Sequence, residues 1–311
     1  MREVTLRKQH PLSIGLWQRM SAEVLALLTA LAYATANVSA RWGLRYSTAN
    51  TATLISLFMH AVGLSAVVFF VGGIPQVPRP ILYLVVVTGI LQMLLRFCHY
   101  SAIAKVGVSR AVTLRNTYPI LSVLIGITVL GEHANSLNMV GVLLIVTGTG
   151  LTSWRMDEQV PSFRPWYLLF PLATVVLTAA VHPLRRYAVT IANEPLFFAA
   201  VVGVVSFVSF LGFLALPVKR EQISLPRQAV IPFIVTGLFE TTAILLLFHA
   251  FANGPVVVVS PIAATSPIWT VILTGLVLRS VERINASVVF GALLVVAGAS
   301  CVVLGSMSGQ P

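Results

Sequence analysis

Apolar residues run along this chain in long blocks, and polar residues collect in the gaps between them. A helix that crosses a bilayer needs about 20 apolar residues. The pattern predicts ten such spans, at 22–42, 50–72, 81–103, 107–130, 136–154, 166–186, 194–217, 228–250, 255–278 and 284–305. Gly72-Gly73-Ile74-Pro75 and Pro78-Arg79-Pro80 close one block and open the next. Arg155-Met156-Asp157-Glu158 through Pro165 is the longest polar stretch. Lys219-Arg220-Glu221 with Pro226-Arg227 marks another loop.

The second half of the pattern repeats the first. Gly89 to Ile120 lies over Gly237 to Ile268 at a constant offset of 148, pairing Ala102 with Ala250, Thr117 with Thr265 and Pro119 with Pro267. Two inserted residues then make the offset 150, which pairs Glu132 with Glu282, Asn135 with Asn285, Gly141 with Gly291 and Gly148 with Gly298. Five spans per repeat is an odd number, so the second copy enters the membrane upside down. The copies are then related by a pseudo-two-fold axis in the membrane plane, the arrangement of duplicated transport folds that bind at the interface of their halves. The chain divides into an N-terminal segment (1–21), a first repeat (22–154), a linker (155–165), a second repeat (166–305) and a tail (306–311).

Composition agrees with lipid as the solvent. Hydrophobic residues make up 57% of the 311 and charged residues 9%, against about 25% charged in soluble domains; mean hydropathy is +0.92. The net charge of +11 does not point to nucleic acid, because the basic residues stand singly at span ends with no basic stripe. Cys98 and Cys301 fall inside apolar spans and have no metal-site or disulfide spacing. Met1 to Met20 is polar and basic and precedes a run of spanning length, so no cleavable signal is expected. The basic cluster before the first span favours a cytoplasmic N-terminus, while the whole-chain count of Lys and Arg favours the reverse. Arg185 and Arg186 are read here as residues at the cytoplasmic end of the sixth span.

Pro119 and Pro267 carry the most weight as a sign of chemistry. A mid-span proline removes a backbone hydrogen bond and frees a carbonyl, which in lipid must be satisfied by protein or by cavity water. Interrupted helices at matching positions in both halves point to a transporter binding site; the alternative is a plain packing kink. In the third span Gln92, Arg96, His99 and Tyr100 share one helical face. An arginine facing lipid at mid-depth costs about 2.5–3.5 kcal/mol, so Arg96 is expected to point inward, unless it snorkels to the nearby headgroups. Arg115, one turn before Pro119 and followed by Asn116, Thr117 and Tyr118, is expected to face a cavity. Glu240 is the one acidic residue deep within a span, and the repeat sets it opposite Gln92. It is either the counter-ion of Arg96 or Arg115 or a group that binds and releases protons during transport. Tyr33, Asn37, Thr265, Ser266 and Trp269 could shape the pocket or simply pack.

His60, His182 and His249 lie in or near span ends and read as hydrogen-bonded packing residues. No metal-like spacing is present, so neither metal nor cofactor is expected. The glycine pairs Gly141/Gly148 and Gly291/Gly298 align on one face of the fifth and tenth spans, where small residues let helices approach. They are read as support elements and as a possible homodimer face. No phosphate-binding loop, Walker sequence or nucleophile elbow occurs, and the loops are too short for an ATP-hydrolysing domain.

The order of motifs is similar to the drug/metabolite transporter superfamily, EamA type. Tyr118-Pro119-Ile120, Leu130-Gly131-Glu132, Gly141 and Gly148 carry the resemblance in the first half; Ser266-Pro267-Ile268, Glu282, Gly291 and Gly298 carry it in the second. Tyr33-Ala34-Thr35-Ala36-Asn37 stands where the family has Trp-Gly and small polar residues. The second Leu-Gly-Glu is replaced by Leu278-Arg279-Ser280-Val281-Glu282. The resemblance covers nearly all of 22–305. It implies a multi-pass protein of the inner or plasma membrane with both termini cytoplasmic. Together with the interior charges it predicts a secondary active transporter of a small anionic or zwitterionic solute, working by alternating access and using no enzyme chemistry. The alternatives are a broad-specificity exporter and, from other classes, a lipid-modifying membrane enzyme or a non-transporting subunit.

Overall fold

A computed structural model describes residues 20–107, 111, 114–153, 164–216, 221–277 and 286–308. Most of the expected linker lies outside these residues, as do Arg110, Lys219, Arg220, Arg279, Glu282, Arg283 and Asn285. The described part is helical throughout. Its elements are α1 (Ala22–Gly43), α2 (Ala49–Val67, running on through a π-turn at Val68–Gly72), α3 (Arg79–Val106), α4 (Tyr118–Leu130), α5 (Ser136–Ser153), α6 (Leu169–Ile191), α7 (Pro195–Ala215), α8 (Arg227–Asn253), α9 (Val256–Ala263), α10 (Ser266–Val277) and α11 (Ala286–Ser308). Seven of the described helices are long and apolar enough to cross a membrane, and the shorter apolar pieces complete further spans.

Local chemistry sets the helix starts. The Ser21 side chain accepts from the Val24 amide, and Glu23 occupies the first turn of α1. The Thr48 side chain accepts from the Thr51 amide at the head of α2. Proline stands in the first turn of α3 and α7, where its missing N–H costs nothing. Large apolar side chains such as Phe69, Phe70, Val129 and Ile231 face outward, as a lipid-facing surface requires.

The helix pairings display the two-fold relation. In the repeat, α1 corresponds to α6 and α3 to α8. The observed pairs α1–α8 and α6–α3 exchange under that correspondence. On α1, Ser39 and Gly43 face α8: the Ser39 hydroxyl donates to the Pro232 carbonyl at 2.8 Å, and a Cβ at Gly43 would collide with the Phe233 ring. Small residues at four-residue spacing allow this close approach. Helices α5 and α11, the last of each repeat, pack on one another. A Cβ at Gly141 would fall 2.6 Å from the Gly298 carbonyl oxygen, and one at Gly148 would fall 2.6 Å from that of Gly291. The repeat maps Gly141 onto Gly291 and Gly298 onto Gly148, so the two contacts are images of each other. The inverted duplication is therefore visible in atomic contacts. The glycine faces meet each other within the chain, as their reading as support elements expects.

The two proline-bearing spans are broken rather than kinked. Asn116-Thr117 and Ala264-Thr265 form turns at positions equivalent by the offset. Pro119 and Pro267 then sit in the first turn of the new helices α4 and α10. The Thr117 hydroxyl donates to the Leu114 carbonyl and the Thr265 hydroxyl to the Ile262 carbonyl, at 2.8 Å in both cases, so each turn satisfies a backbone oxygen locally.

Candidate functional site

At the join of the halves, α1, α3 and the residues before α4 face α6 and α8. Arg96 from α3 and Glu240 from α8 form a buried ion pair. Glu240 also accepts from Tyr100 Oη at 2.6 Å and from Ser56 Oγ. Ser56 in turn accepts from Arg96 Nη1 at 3.1 Å. Arg96 is 2% exposed and Glu240 4%, so Arg96 does not reach the headgroups. A buried pair of this kind needs its remaining lone pairs filled, and Ser56 and Tyr100 supply the donors.

A second guanidinium comes from a residue that the pattern had placed at the membrane face. α6 continues to Ile191, five residues beyond the predicted end of that span, and carries Arg185 into the interior at 2% exposure. Its Nη2 donates to Gln92 Oε1 at 2.6 Å, and its guanidinium lies 5.0 Å from the Phe248 ring centre. The third is Arg115, half-buried, 5.7 Å from the Tyr33 ring centre. His99 shares a hydrogen bond with Asn37 at 3.2 Å. His182 Nδ1 is 2.7 Å from Ser260 Oγ, and its ring meets Tyr118 edge-on at 5.0 Å. Tyr118 donates to the Ser260 carbonyl at 3.0 Å, tying α4 to α9.

These side chains surround a central cavity of about 20 Å³, lined by Tyr33, Gln92, Leu95, Arg96, His99, Arg115, Thr178, Val181, His182, Arg185 and Glu240. That volume is on the scale of one water molecule, so the chamber is collapsed in this conformation. Of the residues singled out in the sequence, Tyr33, Gln92, Arg96, His99, Arg115 and Glu240 line it. Tyr100 and Asn37 stand behind them as hydrogen-bond partners. Asn116 is buried nearby in sequence with an unpaired amide nitrogen. Thr265, Ser266 and Trp269 do not line the cavity; they belong to the break and first turn of α10. Sequence reasoning missed Arg185, Ser56, Thr178 and the lining role of His182. The spacing of His182 and Arg185, three apart on one helical face, was the available signal. His60 is fully buried. It packs where Gly203 leaves room. Among the described residues no cluster of three or more metal-ligating side chains occurs.

The chamber is closed at both ends by bonds between the halves. On the N-terminal face lies a vestibule of about 940 Å³, whose lining includes Ser21, Glu23, Glu132, Asn138, Asn253 and Val258. Its floor is α9. Gly131 ends α4 in a left-handed conformation (φ 68°), and the Glu132 amide closes back to the Gly126 carbonyl. This turn aims the Glu132 carboxylate at the start of α9, where it accepts from the Val256 amide at 2.8 Å and the Val257 amide at 3.0 Å. Arg186 Nε is 3.7 Å from the same carboxylate, and Arg186 Nη1 donates to the Phe251 carbonyl at 2.5 Å. On the opposite face, Lys105 pairs with Glu221 at 2.6 Å. Thr48 and Ser47 donate to the carbonyls of Gln222 and Ser224 at 2.9 and 2.5 Å.

An inverted repeat of membrane helices, with broken spans and a charged chamber at the interface, defines a duplicated membrane transporter fold. The sequence profile of the EamA-like transporter family matches residues 20–154 and 165–304, one copy per repeat, and the chain belongs to that family. It is thus a membrane transporter of the drug/metabolite type. No curated protein shows significant similarity to the chain. Twenty-nine solved chains resemble it. One crystal structure superimposes with a TM-score of 0.72 at 17% identity, over 92% of this chain and 99% of that one, which is a likeness of fold.

Proposed function

We propose that the protein is a secondary active carrier of a small anionic or zwitterionic organic solute, bound in the central chamber and exposed to each side of the membrane in turn. Both termini lie on the cytoplasmic side in this reading. The observation that carries it is the convergence of Arg96, Arg115 and Arg185 on a chamber between the halves. Guanidinium groups at that depth are costly unless they have work with carboxylate or phosphate. The double closure supports the alternation: a vestibule on one side, a hydrogen-bonded seal on the other, and a chamber too small for solute while both are shut. Glu240, already holding Arg96, Ser56 and Tyr100, serves as a counter-ion.

The test is uptake by proteoliposomes of purified protein, across a panel of labelled amino acids, organic acids and phosphate esters. Wild-type protein should move at least one of them, and Arg115→Ala should abolish that movement while the variant still purifies as folded protein. Undiminished transport by Arg115→Ala, or a folded wild type that moves no anion or zwitterion, would overturn the reading.

A further inference from the structure

We propose that the solute carries two negative charges, as a dicarboxylate or a phosphate monoester does, and that Arg115 and Arg185 together grip them. The proposal rests on the carrier reading above and narrows its substrate. Three guanidinium groups line the chamber, and among the described residues Glu240 is the carboxylate that faces them. Glu240 is taken by Arg96. The formal charge of the lining is therefore at least +2, and protonation of a lining histidine would only raise it.

Both remaining guanidinium groups are held by neutral partners. Arg185 has Gln92 and the face of Phe248, and Arg115 has the face of Tyr33. The Nε of each is buried without a hydrogen bond. Buried donors on charged groups, left unpaired beside a cavity, are places that a ligand oxygen fills. A zwitterion brings no net charge and would leave the excess in place. A monoanion would neutralise half of it. A dianion completes it.

The duplication shows how the excess arises. Gln92 and Glu240 are equivalent positions of the two repeats. In the second repeat the acid neutralises an arginine of the first. In the first repeat the amide only orients an arginine of the second. One oxygen-for-nitrogen difference thus separates a self-neutralised chamber from one that awaits an anion.

Gln92→Glu makes that difference directly and keeps the side chain's size. It gives Arg185 a carboxylate partner, as Arg96 already has in Glu240, so the variant is expected to fold. Binding is read as the concentration of succinate, monomethyl succinate, inorganic phosphate or alanine that half-saturates the thermal shift of purified protein at neutral pH. The same probes are then tested as competitors of uptake in proteoliposomes. Wild type should favour succinate or phosphate over monomethyl succinate and alanine by at least about tenfold, and Gln92→Glu should erase most of that preference. Arg185→Gln serves as a second variant that also lowers the charge by one. Transport that depends on Arg115 but prefers monomethyl succinate or alanine would overturn this inference and leave the carrier reading standing. So would an unchanged preference in both charge-reducing variants. Failure to transport any probe in the panel would instead strike the carrier reading itself.

Discussion

Removing one member of the Arg96–Glu240 pair should cost far more than removing both. The side chains are 3% and 5% exposed, so each would be left as a charge with almost no water. Breaking a buried pair costs about 3–5 kcal/mol, whereas replacing both partners is often neutral. Glu240→Gln keeps an oxygen that can accept from Tyr100 and Ser56, which puts it near the lower end, about 3 kcal/mol. Arg96→Met strands the carboxylate but leaves it those two donors, for a similar loss. The double variant carries neither charge and should lie within about 1 kcal/mol of wild type. A coupling of about 5 kcal/mol is therefore expected from the cycle, because two losses of about 3 kcal/mol leave a double variant within about 1 kcal/mol of wild type. Reversible unfolding in mixed detergent micelles, titrated with a denaturing detergent, gives the four free energies. Losses in the two single variants that simply add in the double would refute the pairing. The same Glu240→Gln protein also tests the rival role. If Glu240 carries protons, exchange of labelled for unlabelled solute survives while pH-driven accumulation disappears, and stability is untouched.

Gly298→Leu should destabilise the protein by more than the usual 1–3 kcal/mol of overpacking, because its Cβ would lie 2.7 Å from the Gly141 carbonyl oxygen and 2.8 Å from the Ile145 nitrogen, backbone atoms with little freedom to yield; thermal unfolding checks this. Lys105→Gln removes a partly exposed pair (28% and 40%), so stability should change by less than about 1 kcal/mol. A cysteine placed at Thr178 in the chamber should nevertheless react faster with a charged maleimide added from the face of Lys105. Glu132→Gln weakens the cap on α9 by about 1 kcal/mol and should speed labelling of that cysteine from the vestibule face. Equal labelling rates in both variants and in the parent would show that these bonds do not hold the chamber shut.

How much of this was written in the sequence depends on how far each signal reaches. The duplication was legible residue by residue, because Pro119, Gly141 and Gly148 recur as Pro267, Gly291 and Gly298. Their packing followed from the need for small residues at a close crossing. The break at each proline was legible as an interruption but not as two separate helices, since a proline in the first turn and one in the interior read alike without the turn before it. Arg96, Arg115 and Glu240 stood out because a charge deep within an apolar run has no cheap explanation. Arg185 did not. It stands beside Arg186 near the expected end of a span, the pattern of a headgroup anchor, and only the continuation of α6 to Ile191 draws it inside. Partner choice was less legible still. That Arg96 meets Glu240, while Arg185 meets Gln92, depends on how the inverted halves interlock, and such contacts join residues far apart along the chain.

The Glu132 carboxylate belongs to one half and the α9 amides it holds belong to the other. That carboxylate also lines the vestibule of about 940 Å³, so a tilt that parts it from the amides opens it to water already at hand. Its two amide bonds are then exchanged for bonds to water rather than lost outright. The latch is therefore strong enough to order the shut state and cheap enough to release, and a solute arriving in the vestibule meets a door whose bolt dissolves as it is drawn.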